Sequence, residues 1–233
     1  MPTVSRFKFE RDLIAAGLTR VAGVDEAGRG PLAGPVFAAA VVFPVEWIRD
    51  GLPRALRGLN DSKQLTAAQR EDYFAVLTSR REVCHGIAQV THDMIDRVNI
   101  LRATHQAMVG ALDQLEPPPE HVLVDGTAVP PIRQPQTPLV KGDARSYSIA
   151  AASVLAKVTR DRLMREFDRQ FPAYGFAEHK GYGTEQHLRA LAEHGPCPIH
   201  RRSFAPIRPA KRELFDYAPL GATEGTVHQQ ARA

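Results

Sequence analysis

A short apolar run, Val21-Ala22-Gly23-Val24, arrives at two adjacent acids, Asp25 and Glu26, and Gly28-Arg29-Gly30 follows at once. Pro31, Gly34 and Pro35 then supply turn chemistry, and Val36 to Phe43 is a second run rich in Val and Ala. Two β-type runs joined by so tight a turn favour an antiparallel pair. The first strand, about Thr19 to Asp25, would carry its carboxylates at the end, beside glycines that let a ligand approach the backbone. On its own an Asp-Glu pair reads as a solvated acidic turn. The rest of the chain decides against that.

Around this centre, strands alternate with helices. Phe9 to Ala16, stopped by Gly17, is expected to form a short helix. Pro44 to Asn60 reads as loop, with Trp47 as an anchor, and Thr66 can cap a helix through Ser79 that buries Tyr73, Phe74 and Leu77. Glu82 to Val90 reads as a third strand. A further helix from Thr91 carries Leu101, Thr104, Met108, Leu112 and Leu115 at helical spacing and stops at Pro117-Pro118-Pro119. His121 to Val124 is a strand running into Asp125-Gly126. After a proline-rich stretch, Leu139-Val140 leads to Lys141-Gly142-Asp143. A long helix, about Ser146 to Arg169, buries Ile149, Ala152, Ala156, Leu163 and Phe167, its Ala- and Ser-rich first half suited to lying close on a sheet. Pro172 to Gly183 reads as loop and Thr184 caps a last helix to about His194. The pattern predicts an α/β fold: a mixed sheet, begun by an antiparallel meander, with helices on both faces.

At 233 residues the chain suits one large domain with a small appendage. A net charge of +4 permits a polyanionic partner without requiring one. Cys84 and Cys197 lack metal-ligand spacing, and two thiols in a chain this long fit a reducing compartment. No signal-peptide core opens the chain and no apolar run has the length of a membrane span, so a cytoplasmic protein is expected, without membrane partners. Nothing suggests a large apolar interface, so a monomer is expected.

Asp25, Glu26, Asp125 and Asp143 each sit at the end of a β-like run or just before a helix. Strand ends converge in a sheet, so acids far apart in sequence can share one site. Carboxylates without His or Cys companions favour magnesium or manganese, commonly as a pair of ions that activates a water and steadies a departing phosphodiester oxygen. Any one of these acids alone reads as a turn or helix-start residue; the four together make a metal site the better reading. One geometric difficulty stands. Successive residues of a regular strand face opposite sides, so either the strand ends or bulges at Asp25-Glu26, or the longer Glu26 side chain curls back. Gly28 to Ala33 also fits the dinucleotide-binding spacing, but that motif needs a helix after its glycines, and a turn and a strand follow here. Lys63 and Arg29 could each meet a phosphate. Tyr182, framed by Gly181 and Gly183, is suited to stacking on a sugar or base as readily as to capping the surface. Arg201 and Arg202 suit structural or diffuse electrostatic duty.

The stretch Gly23 to Val36 resembles the opening signature of ribonuclease HII, the bacterial type 2 ribonuclease H. Asn60-Asp61-Ser62-Lys63, Val124-Asp125-Gly126, Lys141-Gly142-Asp143, Ala150 to Asp161, His179 to Thr184 and His200 to Phe204 match later motifs of that family in order. The likeness runs from about residue 8 to residue 212. It implies a ribonuclease H-like mixed five-stranded sheet over 19–170 and a small C-terminal helical extension at 171–217; the residues themselves suggest a helical lead-in at 1–18 and, beyond Tyr217, a loose tail at 218–233. It implies a metal-dependent endonuclease that cuts the RNA strand of RNA–DNA hybrids and incises 5′ to ribonucleotides embedded in duplex DNA, leaving 3′-hydroxyl and 5′-phosphate ends. This is the chemistry of ribonucleotide excision repair. By the same resemblance Asp25, Glu26, Asp125 and Asp143 would be the catalytic acids, holding two Mg2+ or Mn2+ ions. Gly28, Arg29 and Gly30 would contact the ribonucleotide and its phosphate, Tyr182 would pack on the sugar where RNA passes into DNA, and Lys63 would touch the backbone.

Overall fold

The computed structural model describes residues 5–207. Its first elements are helix α1 (Lys8–Ala15), strands β1 (Val21–Ala27) and β2 (Val36–Val42), helices α2 (Val45–Asp50) and α3 (Ala67–Ser79), and strand β3 (Cys84–Val90). Helices α4 (His92–Val98) and α5 (Ile100–Leu112), strands β4 (His121–Asp125) and β5 (Gln136–Leu139), and the long helix α6 (Tyr147–Gln170) follow. The short helices α7 (Phe176–His179) and α8 (Glu185–His194) come last. One five-stranded sheet has the order β3-β2-β1-β4-β5. The first three strands form an antiparallel meander, while β4 runs parallel to β1 and β5 parallel to β4. This is the mixed sheet that the sequence predicts.

Both faces of the sheet are covered, which is why β2 is apolar at every position. On one face Ala22, Val24, Ala38 and Ala40 meet Ala103, Ala107 and Met108 of α5. On the other, Phe37, Ala39 and Val41 share a core with Ala151, Val154 and Leu155 of α6 and with Phe7 and Leu77. Burying a Val or Leu side chain in such a layer contributes roughly 1.5–3 kcal/mol. Helix α6 crosses β1 at Gly23. A Cβ built there would lie 2.3 Å from the Ile149 backbone nitrogen, so any side chain at 23 would push the helix off the sheet.

Several local expectations change. Strand β1 continues two residues past Asp25, still paired with β2 through Ala27 and Phe37, because the turn lies beyond Ala27. The segment 44–60 is not all loop: it holds α2 and a 3-10 turn, and Trp47 packs its ring 5.7 Å from that of Phe43. Helix α3 begins as expected, with Thr66 and Gln69 forming a reciprocal capping box. The helix expected from Thr91 breaks in two at Asn99, whose backbone is left-handed (φ 71°) and whose side chain caps α5. Leu101 is consequently 49% exposed rather than part of the buried stripe, and Leu115 is buried beyond the helix end. Strand β5 lies earlier than Leu139-Val140, at Gln136–Leu139, and Val140 is exposed. On α6, Ile149, Ala152 and Ala156 are buried as expected, but Leu163 and Phe167 only partly. The segment 172–183 contains a 3-10 turn and α7. No helix among the described residues is long and apolar enough to cross a membrane. The basic run Arg208 to Arg212, the end of the extension to 217 and the tail at 218–233 lie outside the described residues.

Candidate active site

Parallel pairing of β1 with β4 sets Val24 beside Val124, so Asp25 and Asp125, the next residues of each strand, are neighbours. Asp125 pairs in turn with Leu139 of β5. Four residues on, a 3-10 turn from Gly142 to Ala144 carries Asp143 to the start of α6. Three acids from three segments therefore meet at the carboxyl end of the parallel strands. Backbone amides hold them: Glu26 N–H donates to Asp25 Oδ1 (2.6 Å), Gly142 N–H to Asp125 Oδ1 (2.6 Å) and Ala144 N–H to Asp143 Oδ1 (2.9 Å).

Strand β1 neither ends nor bulges at Glu26, which pairs regularly with Ala38. Alternation thus sends Asp25 toward α6 and Glu26 toward the α5 face, where Arg29 Nη1 donates to Glu26 Oε1 at 3.2 Å. The acids still feel one another. Burial raises the Asp25 pKa well above the ordinary carboxylate range, and the charges of Glu26, Asp125 and Asp143 push it further. Burial also raises Glu26 against the pull of Arg29, and raises Asp143 with help from Asp125 and Asp61. Electrostatic coupling is not yet a cage. Among the described residues no three His, Cys, Asp or Glu side chains converge tightly enough to grip one ion as they stand. The opposite faces of Asp25 and Glu26 on a regular strand contribute to the spread.

Asp25, Glu26 and Asp125 border a cavity of about 420 Å³, whose walls include the Gly28-Arg29-Gly30 loop, Lys63 and Tyr182. Burial lowers the Lys63 pKa, but Asp61, Asp143, Asp25 and Asp125 outweigh it and the pKa ends raised, which places this ammonium in the field of the acids. Every residue singled out in the sequence thus lines the cavity except Asp143, which acts on it through charge. Asp61 is an additional acid in the same field. It lies in the Asn60 to Lys63 motif, before a 3-10 turn, and accepts from the Lys63 N–H.

Two buried arginines, Arg201 and Arg160, hold the glycine loop. Arg201 donates to the carbonyls of Gly34 (3.0 Å), Arg29 (2.9 Å) and Gly28 (2.5 Å). Arg160, from α6, donates to those of Pro35 (3.1 Å), Ala33 (3.1 Å) and Lys180 (3.0 Å). Burial lowers Arg160 to about 10; burial and then the Arg160 charge lower Arg201 to about 9, so both remain cationic at neutral pH. Gly28 has φ +98°, and a Cβ there would lie 2.1 Å from Arg160 Nε, so only glycine fits. Arg201 is thus structural, as expected. Arg202 differs: its backbone N–H and that of Ser203 donate to Asp96.

Tyr182 is 46% exposed and stands over Gly30, 3.5 Å from where a Cβ would be. Its backbone is fixed from beneath. His187 Nδ1 lies 2.9 Å from the Tyr182 carbonyl, and His187 Nε2 lies 2.9 Å from His200 Nε2. Burial lowers both imidazoles, His200 to about 4 with His187 adding to the effect, so the pair is neutral at pH 7 and one ring donates to the other.

The ribonuclease HII family model matches residues 22–207. The chain is similar to ribonuclease HII of Geobacillus kaustophilus, 56% identical over 202 residues, covering 86% of this chain and 74% of the relative. It is also similar to that of Geobacter metallireducens, 51% identical over 204 residues, covering 88% and 92%. Among solved structures, ribonuclease H2 of Pyrococcus horikoshii superposes with a TM-score of 0.67 at 30% identity, covering 81% of this chain and 95% of that one.

Proposed function

The chain belongs to the ribonuclease HII family of endoribonucleases acting on RNA–DNA hybrids, and on that premise we propose a divalent-metal-dependent hydrolase that also incises duplex DNA. The incision falls on the 5′ side of an embedded ribonucleotide and leaves 3′-hydroxyl and 5′-phosphate ends. The observation that carries this reading is the junction of β1, β4 and the turn before α6, where the Asp25 carboxyl is pressed by Glu26, Asp125 and Asp143.

The donor set fits magnesium or manganese: oxygen only, several carboxylates, and unrelieved repulsion that a cation would cancel. Asp25, Glu26, Asp125 and Asp143 would hold the ions. When bound, a pair of such ions activates water and steadies the departing 3′-oxygen. The chain's own residues do the rest. Gly28 and Gly30, having no side chains, bring backbone polar groups to the 2′-hydroxyl, the group that separates a ribonucleotide from its deoxy neighbour. Arg160 and Arg201 fix that loop, Arg29 and Lys63 meet phosphates, and the exposed Tyr182 ring packs on the sugar 3′ to the ribonucleotide. Binding through phosphates is independent of sequence and weakens with salt.

The test is a labelled duplex carrying one ribonucleotide, incubated with magnesium or with chelator, and mapped for the cut. One incision 5′ to the ribonucleotide is expected, abolished by chelation. Asp25→Asn should slow it by at least about a hundredfold, since loss of metal-borne charge stabilisation is worth several kcal/mol. Near-normal turnover of that variant would overturn the assignment of the acids.

A further inference from the structure

Glu26 and Asp125 have a second cavity on their other side, about 200 Å³, between α5 and the turn after β4. Both acids border the two cavities, and Tyr182 borders only the first, so the acids stand between Tyr182 and this second cavity. Its polar wall is Arg29, His105 and Thr127; its apolar shoulder is Leu101 and Met108. The space is open: a Cβ built on Gly126 would meet nothing within 4 Å. Leu101, 49% exposed because α4 and α5 break at Asn99, stands at this wall. Burial, then the Arg29 charge, lowers the His105 pKa, and no hydrogen bond from the described residues contributes. At neutral pH the ring is thus an unengaged N–H donor.

Donors beside an apolar shoulder suit a phosphate joined to a sugar. We propose that this cavity binds the nucleotide immediately 5′ to the scissile linkage, with His105 donating to the phosphate on that nucleotide's own 5′ side and Leu101 against its sugar. The assignment rests on the reading above, in which Tyr182 takes the 3′ side. His105 is then a substrate-binding residue for the strand that leaves with the 3′-hydroxyl.

The experiment is a double cycle of protein and substrate. Wild type, His105→Ala and His105→Gln are assayed on a duplex with one ribonucleotide. A second duplex carries an uncharged methylphosphonate at the linkage one step 5′ of the scissile one, and a third carries it one step 3′. On the plain duplex His105→Ala should lower kcat/KM roughly tenfold, the scale of a hydrogen bond to a charged group, chiefly through KM. His105→Gln should recover most of the loss, and wild type should lose a similar factor on the 5′ methylphosphonate. His105→Ala should lose nothing more on the 5′ methylphosphonate, yet the full factor on the 3′ one. Unchanged kcat/KM for His105→Ala, or losses that multiply on the 5′ substrate, would overturn the proposal while leaving the endonuclease reading intact. Failure of wild type to cut the plain duplex would instead overturn the reading on which it rests.

Discussion

Arg201 is the side chain on which the glycine loop most depends, and Arg201→Met is the perturbation that measures this. The guanidinium is fully buried and donates to three carbonyls, those of Gly28, Arg29 and Gly34. A hydrogen bond from a charged donor is worth about 1.5–3 kcal/mol, but burying the cation itself costs several kcal/mol, so the three do not simply add. Truncation removes the donor and leaves the buried Gly34 and Gly28 carbonyls dry, while that of the exposed Arg29 can regain water. The net cost should be about 3–5 kcal/mol, a large share of the roughly 5–15 kcal/mol that holds a domain folded. In a chain of this size that is a fall in Tm of roughly 8–15 °C. Urea unfolding at pH 7 should show the midpoint move at constant slope. Arg201→Lys should recover only part, because an ammonium cannot span three carbonyls set in a fork. Arg202→Met is the control. Its side chain reaches the Pro196 carbonyl at 3.3 Å from an exposed position, and its loss should stay within about 0.5 kcal/mol. A loss under about 1 kcal/mol for Arg201→Met, or full recovery by Lys, would refute the clamp.

Tyr182→Ala should lower incision at a lone ribonucleotide by roughly tenfold, the scale of one lost stacking contact, while changing duplex affinity little; equal losses in both would make the ring a surface support only. In chelator, Asp25→Asn should be more stable than wild type by about 1–2 kcal/mol at neutral pH. The sign follows from the raised Asp25 pKa: its contribution is full below the unfolded value of 3.8 and is lost as pH rises through the folded value, whereas Asn does not titrate. The advantage should therefore vanish in acid, grow as pH rises above the unfolded value, and level off once the folded Asp25 has titrated. Saturating magnesium should reverse it. Thermal melts of the two proteins across that range decide, and a difference independent of pH would refute the repulsion argument.

The sheet and the acid row were legible because both rest on local patterns: apolar runs of strand length, each followed by a carboxylate. Asp25, Asp125 and Asp143 could be grouped from sequence because parallel strand ends must converge, and the pairing of Val24 with Val124 brings the first two together. Arg160 was not legible, nor was the burial of Arg201, read only as structural or diffusely electrostatic. Arg160 stands in a helix with other basic residues and Arg201 in a basic run, and nothing local distinguishes a solvated guanidinium from one enclosed by carbonyls. The carbonyls of residues 28–35 lie 125 to 173 residues away along the chain. The break at Asn99 escaped for the opposite reason. The apolar spacing on either side of it is helical, and a single left-handed residue does not disturb that period.

On the proposed reading the acids have to be positioned before any ion arrives, and backbone amides contribute to that. Each of the three aspartates has one oxygen tied by a backbone N–H, from Glu26, Gly142 or Ala144, while its other oxygen makes no such bond. Those amides lower the carboxyl pKa of Asp25 and Asp143, yet both remain raised, so burial and mutual repulsion exceed what the amides supply. Lys63 does not close the gap. Its ammonium offsets Asp143 without cancelling the repulsion, and Arg29 is committed to Glu26 on the other face. What remains is repulsion between carboxyls at one strand end, held in place by neutral donors and not cancelled by the cations of the described residues. On the proposed reading that repulsion is relieved by cations from solution, and it presses hardest on Asp25, the most deeply buried of the four acids.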